Sequence, residues 1–251
     1  MALKLKHLIS NLQNVKGFEE PDVSLEQYMT SPHIAGQVML RLRTHGQMVC
    51  LLSTLPDLGV GCGILSAAAR MLGSSYNIGY DIDDNALAIA RENFNDLEID
   101  IELVKVDVCS LAKLSKESID DILSPAEDIA APPRRTRAKD APEPDSSESK
   151  ATVAGVRPKL LDTVISNPPF GTRRKGVDLL FVLVGLDMAR TSVYSLHKTS
   201  TREHILKKAE QWGVDAKVIA ELKFDIPKMY SFHKEASKDI EVDFIRFSHR
   251  K

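Results

Sequence analysis

Asp57-Leu58-Gly59-Val60-Gly61-Cys62-Gly63-Ile64 is the stretch on which the fold turns. It is a Gly-rich turn between an apolar stretch and a helical pattern running from Ile64 to Leu72. Glycine permits positive φ and lets a ligand come close to the backbone. A turn of this kind, closing a strand and opening a helix, holds nucleotides in βα units. The next strand-like run, Tyr76 to Tyr80, ends in Asp81-Ile82-Asp83. An acid roughly 20 residues beyond the loop suits a ribose diol. Asp81 has a competing use as a cap for the helix read over Ala86 to Phe94, but Asp83 or Asp84 can cap that helix instead. Asp81 is then free for the ribose.

Two more strand ends follow in order. Ile99 to Val106 reads as a strand closed by Asp107-Val108, where the acid suits the amino group of an adenine. The apolar run from Leu160 to Ser166 reads as a buried strand and closes on Asn167-Pro168-Pro169-Phe170. Open α/β sheets place ligands at the carboxyl ends of their strands. Consecutive prolines make a stiff turn with fixed φ and no N–H. That turn presents the Asn167 side chain and the Pro168 carbonyl as two rigid acceptors for a planar amino group. Phe170 adds an aromatic face for a flat substrate. Methyl transfer to an exocyclic amine fits this arrangement. NAD enzymes share the glycine loop and the ribose acid but not the fourth strand end, so S-adenosylmethionine is the better cofactor.

The C-terminal half continues the pattern. Val177 to Ala189 reads as a helix, Ser192 to Leu196 as a strand, and Thr201 to Trp212 as a helix with Ser200-Thr201 placed to cap it before Glu203. Val218 to Ile226 and Ile240 to Ser248 read as two strands joined by a loop of ~13 residues, which suits an antiparallel hairpin. At the other end, Leu5, Leu8, Ile9, Leu12 and Val15 have amphipathic helical spacing and do not form a secretory signal.

With these elements placed, the chain resembles the methyltransferase-like protein 5 family. The resemblance rests on Gly17-Phe18-Glu19, Leu25-Glu26-Gln27-Tyr28, Asp57-Leu58-Gly59, Gly61-Cys62-Gly63, Asp81-Ile82-Asp83, Asn167 through Thr172, Ala189-Arg190-Thr191 with Val193 through Lys198, Ser200 through His204, and Ile240-Glu241-Val242-Asp243. These segments span roughly four-fifths of the chain. The resemblance implies a class I S-adenosylmethionine-dependent methyltransferase: α/β, Rossmann-like, with a seven-stranded sheet and a C-terminal antiparallel hairpin. It implies N6-methylation of one adenosine in small-subunit (18S) ribosomal RNA. Cofactor contacts would fall on Gln27, Thr30, Gly59, Cys62, Ile64, Asp81, Asp107 and Val108, with Asp57 and Gly61 of the glycine loop beside them. Gln27 and Thr30 belong to an N-terminal helical segment, 1–45, that would fold over the methionine end of the cofactor. Catalysis would fall on Asn167, Pro168, Pro169 and Phe170. A small zinc-binding multifunctional methyltransferase activator subunit would pair with the edge strand 99–106, and the chain would work in the nucleus, nucleolus and cytoplasm.

Three positions depart from the family. Met29 stands where the family has Pro, and Val60 where it has Cys. The family also runs a hydrophobic strand straight into the Asp, whereas here Val49-Cys50-Leu51-Leu52 is followed by Ser53-Thr54-Leu55-Pro56. Proline cannot donate to a central ladder, so the first strand is expected to be shifted, kinked or shortened.

Composition sets the remaining bounds. The 251 residues suit one α/β domain with an insertion. A formal net charge of -2 gives no global attraction to nucleic acid, so any RNA contact must be local. Arg173-Arg174-Lys175, just past the catalytic turn, and Lys198 are the candidate RNA contacts. Lys207-Lys208, Lys228, His233 and Lys234 extend the basic set, although a solvated helix face accounts equally well for Lys207-Lys208. The three cysteines, Cys50, Cys62 and Cys109, show no CxxC spacing, so no metal site is expected and a reducing compartment is. Cys50 and Cys109 read as buried free thiols. No apolar run is long enough for a membrane span. Residues 113–158 are rich in Pro, Ser, Glu and Lys and poor in aromatics, which reads as a disordered insertion. Arg134 to Arg137 within it read as a solvated charge run, and Ser146, Ser147 and Ser149 as sites that phosphorylation would suit.

Other readings of the Asn-Pro-Pro turn stay open at this level. A glutamine side chain also presents a planar NH₂, although protein glutamine N-methyltransferases usually carry Tyr where this chain has Phe170. A DNA adenine methyltransferase uses the same chemistry. An inactive methyltransferase-like scaffold is the reading from a different class.

Overall fold

The structure is a computed structural model describing residues 4–44, 54–112, 161–227 and 237–250. The expectations for Val49 to Leu52, Cys50, the 113–158 insertion with Arg134 to Arg137 and its serines, Lys228, His233 and Lys234 lie outside the described residues.

Seven strands form one sheet: β1 (Thr54–Leu58), β2 (Tyr76–Asp81), β3 (Glu102–Lys105), β4 (Leu161–Ser166), β5 (Ala189–Lys198), β6 (Val214–Pro227) and β7 (Ser237–His249). Their order is β3-β2-β1-β4-β5-β7-β6. The pairs from β3 through β5 are parallel, while β7 runs antiparallel between β5 and β6. The expected hairpin is therefore present, with strands longer than their apolar cores suggested. Among the described residues, six helices flank the sheet: α1 (Leu5–Leu12), α2 (Pro32–Thr44), α3 (Ile64–Met71), α4 (Asp84–Asp96), α5 (Val177–Met188) and α6 (Arg202–Gln211).

Strand alternation divides the core in two. Ile165, Tyr194, Leu196 and Phe244 face a cluster built from α1, α2, α3 and α4. Val164, Val193, Ile245 and Phe247 face a second cluster built from α5 and α6. Helix α5 is apolar nearly all round, and eight of its residues are buried. Such a helix needs cover on more than one side, and Val108, in the short 3₁₀ turn Val108–Leu111, packs into the same cluster.

The first strand forms despite its proline. Pro56 lies opposite Ile78 of β2, but pairing with β4 starts only at Asp57, opposite Ile165. The ladder toward β4 is thus short at the proline, as a missing donor requires. The predicted cap of α6 differs from what forms. Thr201 precedes the helix without a side-chain cap bond, because its hydroxyl donates to the Lys198 carbonyl at 2.8 Å inside the 3₁₀ turn Thr199–Thr201. Among the described residues no helix is long and apolar enough to cross a membrane.

Candidate active site

The carboxyl ends of β1, β2 and β4 open on one cavity of about 200 Å³, whose lining includes Gly59, Gly61, Asp81, Asp107, Val108, Asn167 and Pro169. Local hydrogen bonds set its floor. Gly59 and Val60 N–H both donate to the Tyr80 carbonyl, at 2.8 and 2.9 Å, so the glycine loop is anchored to the end of β2. Gly61 N–H donates to Asp81 Oδ2 at 2.9 Å, and Asp83 N–H to Asp81 Oδ1 at 3.1 Å. Burial raises the Asp81 pKa above the ordinary carboxylate range, opposed by those backbone donors. Asp83 caps α4, accepting from Asn85 and Ala86 N–H. Asp83 thus takes the cap, as its spacing allowed, and Asp81 lines the cavity.

Asp57 sits beneath the loop, almost wholly buried. Its Oδ2 accepts from the Ser66 hydroxyl at 2.7 Å, and its Oδ1 has no hydrogen-bond partner. Burial pushes its carboxyl up to about 7, with the Ser66 bond opposing. Asp107 lines the cavity and accepts from Cys109 N–H at 2.9 Å. Cys62 and Ile64 are buried in the core and do not line the cavity. Burial raises the Cys62 thiol to about 12, which suits packing and not nucleophilic attack. Cys109, read as buried, is only half-buried and lines the cavity.

The N-terminal segment forms one wall. Phe18, Ser24, Leu25, Glu26, Gln27 and Tyr28 all line the cavity. Gln27 Nε2 donates to Asp83 Oδ2 at 2.7 Å, which ties the segment to the turn beyond β2. Asn93 makes a second tie. Its Nδ2 donates to the carbonyls of Lys16, at 3.0 Å, and Cys62, at 2.9 Å, while its Oδ1 accepts from Lys16 N–H at 2.8 Å. This brings Phe18 over Gly61, where a Cβ would stand 3.3 Å from the ring. The two family departures are absorbed by packing. Val60 covers Gly79, where a Cβ would meet it at 2.7 Å, and Met29 covers Gly17, where a Cβ would meet its Sδ at 3.0 Å.

Asn167 lies one residue beyond β4, which Ser166 fixes by donating from its hydroxyl to the Leu58 carbonyl at 2.8 Å. Asn167 Nδ2 donates to Thr30 Oγ1 at 2.8 Å, and the Tyr28 hydroxyl stands 3.4 Å from Asn167 Oδ1. Thr30, expected at the cofactor by resemblance, is buried behind the Asn167 turn and does not line the cavity. Burial holds the Tyr28 phenol well above its ordinary range, so it remains a neutral donor. Pro168 is buried. Phe170 is only 8% exposed. Its ring packs against Tyr28 at 5.3 Å and edge-on to Phe224 at 6.3 Å, and Lys198 Nζ lies 5.7 Å from its centroid. A base that stacks on Phe170 must displace one of these neighbours.

Arg173 and Arg174 line the cavity mouth, and Arg173, Arg174 and Lys175 are exposed. Sequence reasoning missed Tyr28, Phe18, Asn93 and Phe224. The conspicuous Leu-Glu-Gln-Tyr stretch was the available signal for Tyr28.

The residues present fit a nucleoside cofactor on this geometry. Gly59 and Gly61 line the floor with positive φ, a strand-end carboxylate stands beside them, and Asp57 keeps an unpaired buried oxygen under the loop. Among the described residues no group of His, Cys, Asp and Glu is arranged to hold a metal ion.

Comparison with known proteins agrees with this geometry. A family model for ribosomal protein L11 methyltransferase (PrmA) matches residues 40–128, which contain the glycine loop, Asp81 and Asp107 but not the Asn167 turn. The rRNA N(6)-adenosine-methyltransferase METTL5 of Danio rerio is 43% identical over 98% of this chain and 99% of its own length. The corresponding METTL5 enzyme of Drosophila melanogaster is 38% identical over 98% and 96%. The crystal structure of a Pyrococcus horikoshii protein superposes with a TM-score of 0.70 at 26% identity, covering 100% of both chains.

Proposed function

The chain belongs to the rRNA N(6)-adenosine-methyltransferase METTL5 family, and from that premise we propose that it transfers a methyl group from S-adenosylmethionine to N6 of one adenosine in small-subunit (18S) ribosomal RNA. The observation that carries this reading is the Asn167 amide. Thr30 takes its NH₂ group, which leaves Oδ1 as an acceptor at the end of a central strand, in the same cavity as the glycine floor.

The cofactor would lie on Gly59 and Gly61 with Asp81 at its ribose, Asp107 and Val108 at its adenine, and Gln27 on the N-terminal side. It supplies an electrophilic methyl carbon on a sulfonium. The N6 lone pair of adenine is delocalised into the ring and is a poor nucleophile. Asn167 Oδ1 and the Pro168 carbonyl accept the two amino hydrogens, orient the lone pair and favour pyramidalisation. Positioning and fixed dipoles carry most of the rate. The Tyr28 hydroxyl stands beside Asn167 Oδ1 and yields that place when the amine arrives. The target base leaves its stack to reach the turn, with Phe170 and Tyr28 as the aromatic surfaces that receive it. Arg173, Arg174, Lys175 and Lys198 contact the RNA backbone, and the exposure of the triplet, with Arg173 and Arg174 on the cavity, supports this.

The partner is the zinc-binding multifunctional methyltransferase activator subunit, pairing along β3. This reading is supported by the place of β3 at one edge of the sheet and by exposed Tyr76, Ile82 and Leu111 nearby. A chain that is soluble and fully active alone would refute it. The chain works in the nucleus, nucleolus and cytoplasm, where its RNA substrate is made and used.

Tritium transfer from labelled S-adenosylmethionine tests the activity, with the chain co-expressed with the activator subunit. Unmethylated small-subunit rRNA, DNA and a release-factor-like protein are offered separately. Label appears in rRNA as N6-methyladenosine and falls at least about 100-fold in Asn167→Ala while cofactor binding survives. Label only in protein or only in DNA would overturn the substrate, and absence of cofactor binding would leave a scaffold.

A further inference from the structure

Behind the Asn167 turn a buried histidine meets a half-buried acid, and neither takes part in the chemistry above. We propose that His197, acting through Asp178, is a positioning residue for RNA methylation: it fixes the 171–176 loop so that Arg173 and Arg174 face the cavity beside Asn167. This rests on the functional reading just given.

His197 stands on β5 opposite Asp243 of β7, and its ring lies edge-on to Phe247 at 5.8 Å. Its side chain is 0% exposed. Two strands and an aromatic ring therefore hold it rigidly. Its Nδ1 donates to Asp178 Oδ2 at 3.1 Å, since a carboxylate can only accept. Its Nε2 has no hydrogen-bond partner. Burying an imidazole among apolar neighbours is costly, and here one side-chain bond offsets that cost. A residue serving only to fill space would be apolar, so the bond to Asp178 is what the histidine adds.

Asp178 is in the first turn of α5, directly beyond the loop. One carboxylate oxygen takes the histidine and the other turns to the loop. A Cβ placed on Gly171 would stand 3.6 Å from Asp178 Oδ1, 3.4 Å from the Arg174 carbonyl and 3.5 Å from Gly176 N. The loop thus folds back on itself between two residues of positive φ, Gly171 at 70° and Gly176 at 76°. On its outer side, Arg173 N–H donates to Glu26 Oε1 at 2.7 Å. The Asp178 carboxylate, held by the strand-borne imidazole, lies against the inner side of the loop, and Glu26 of the N-terminal segment holds the outer side. An acid in the first turn already suits the helix dipole, but that alone gives no reason for a buried histidine behind it.

Four variants of the full chain test this: His197→Phe, which keeps a flat ring against Phe247, Asp178→Ala, their combination, and Asp178→Asn. Three readouts are taken: steady-state rRNA methylation, cofactor Kd, and limited trypsin digestion resolved by mass spectrometry. Cleavage after Arg173, Arg174 or Lys175 reports the loop, and cleavage after exposed Lys217 of β6 reports the rest. His197→Phe and Asp178→Ala each raise the RNA KM about tenfold and speed loop cleavage about tenfold. Cofactor Kd and cleavage after Lys217 stay at wild-type values. The double variant is no worse than either single one, because both remove the same bond. Asp178→Asn, whose amide oxygen still accepts from Nδ1, returns the RNA KM to within about twofold of wild type. Cleavage that rises equally at both places, with KM unchanged per folded molecule, would reduce the pair to a stability element and overturn the proposal. So would an unchanged KM with unchanged loop cleavage. A wild-type chain that labels no RNA overturns the functional reading itself, while the cleavage pattern still decides whether the pair holds the loop.

Discussion

Asn167 Nδ2 and Thr30 Oγ1 meet at 2.8 Å across 137 positions of sequence. A residue of the N-terminal segment therefore decides which end of the Asn167 amide faces the cavity.

Thr30→Val keeps the side-chain volume and removes the acceptor. The amide is then free to rotate, and loss of a buried hydrogen bond of this kind is worth ~1–1.5 kcal/mol. The turnover number falls about tenfold, and cofactor Kd does not change. Isothermal titration beside methylation kinetics checks this. A Kd that rises with unchanged turnover would move Thr30 to the cofactor, where the family resemblance alone would put it.

Asp57 makes folding stability depend on pH. Its carboxyl is raised from 3.8 to about 7 in the folded chain. Between those values the folded state holds a proton that the unfolded state has released, so stability is full below the lower value and declines as pH rises through the upper one. Comparing pH 5 with pH 7, wild type loses roughly 2–3 kcal/mol that Asp57→Asn does not lose. Urea denaturation of the cofactor-free protein at several pH values measures the difference. Parallel stability curves for the two proteins would refute it.

Changing Arg173, Arg174 and Lys175 together to neutral residues lowers RNA affinity and flattens its dependence on salt. Each phosphate contact to a single strand contributes about 0.7 to the log–log slope, so the slope loses about 2. Fluorescence anisotropy across a salt series reads this directly. An unchanged slope would return the triplet to the ordinary solvated surface.

Gly63→Ala and Gly73→Ala separate backbone strain from crowding. Both glycines have positive φ, 87° and 99°. A Cβ at Gly63 would lie 2.5 Å from two ring carbons of Phe94, whereas at Gly73 nothing lies within 4 Å. Gly73→Ala costs about 1–2 kcal/mol from backbone strain alone. Gly63→Ala costs a further ~1–3 kcal/mol from overpacking and weakens cofactor binding, since its loop forms the cavity floor. Equal losses in the two variants would show that Phe94 moves aside freely.

The strand ends and the C-terminal hairpin were legible because their signals are local. A glycine loop, an acid at the next strand end and an alternating C-terminal pair each occupy a few consecutive residues. The capping role of Asp83 was legible for the same reason. What the sequence did not reveal are pairings between distant segments. Tyr28 beside Asn167, Phe224 against Tyr28, Asn93 on Lys16 and Cys62, and His197 on Asp178 join residues on different elements, and no spacing rule relates them. Helix α2 was not singled out, because its apolar residues surround Gly36, which packs against Ile9 and Leu5. Pro56 argued against a regular first strand, and the strand formed by leaving its β4 ladder short at that point.

The long closure between Thr30 and Asn167 has a consequence for synthesis on the ribosome. The segment that orients the amide leaves the exit tunnel well before the residue it orients. Phe224, which packs on Tyr28 and Phe170, is made later still. Strand β7, last of all, inserts between two strands already translated. Contacts at such separations are slow to form because loop closure precedes any gain from burial. The growing polypeptide therefore carries an open half-site until Phe224 and β7 have emerged, and the cavity closes in one late step.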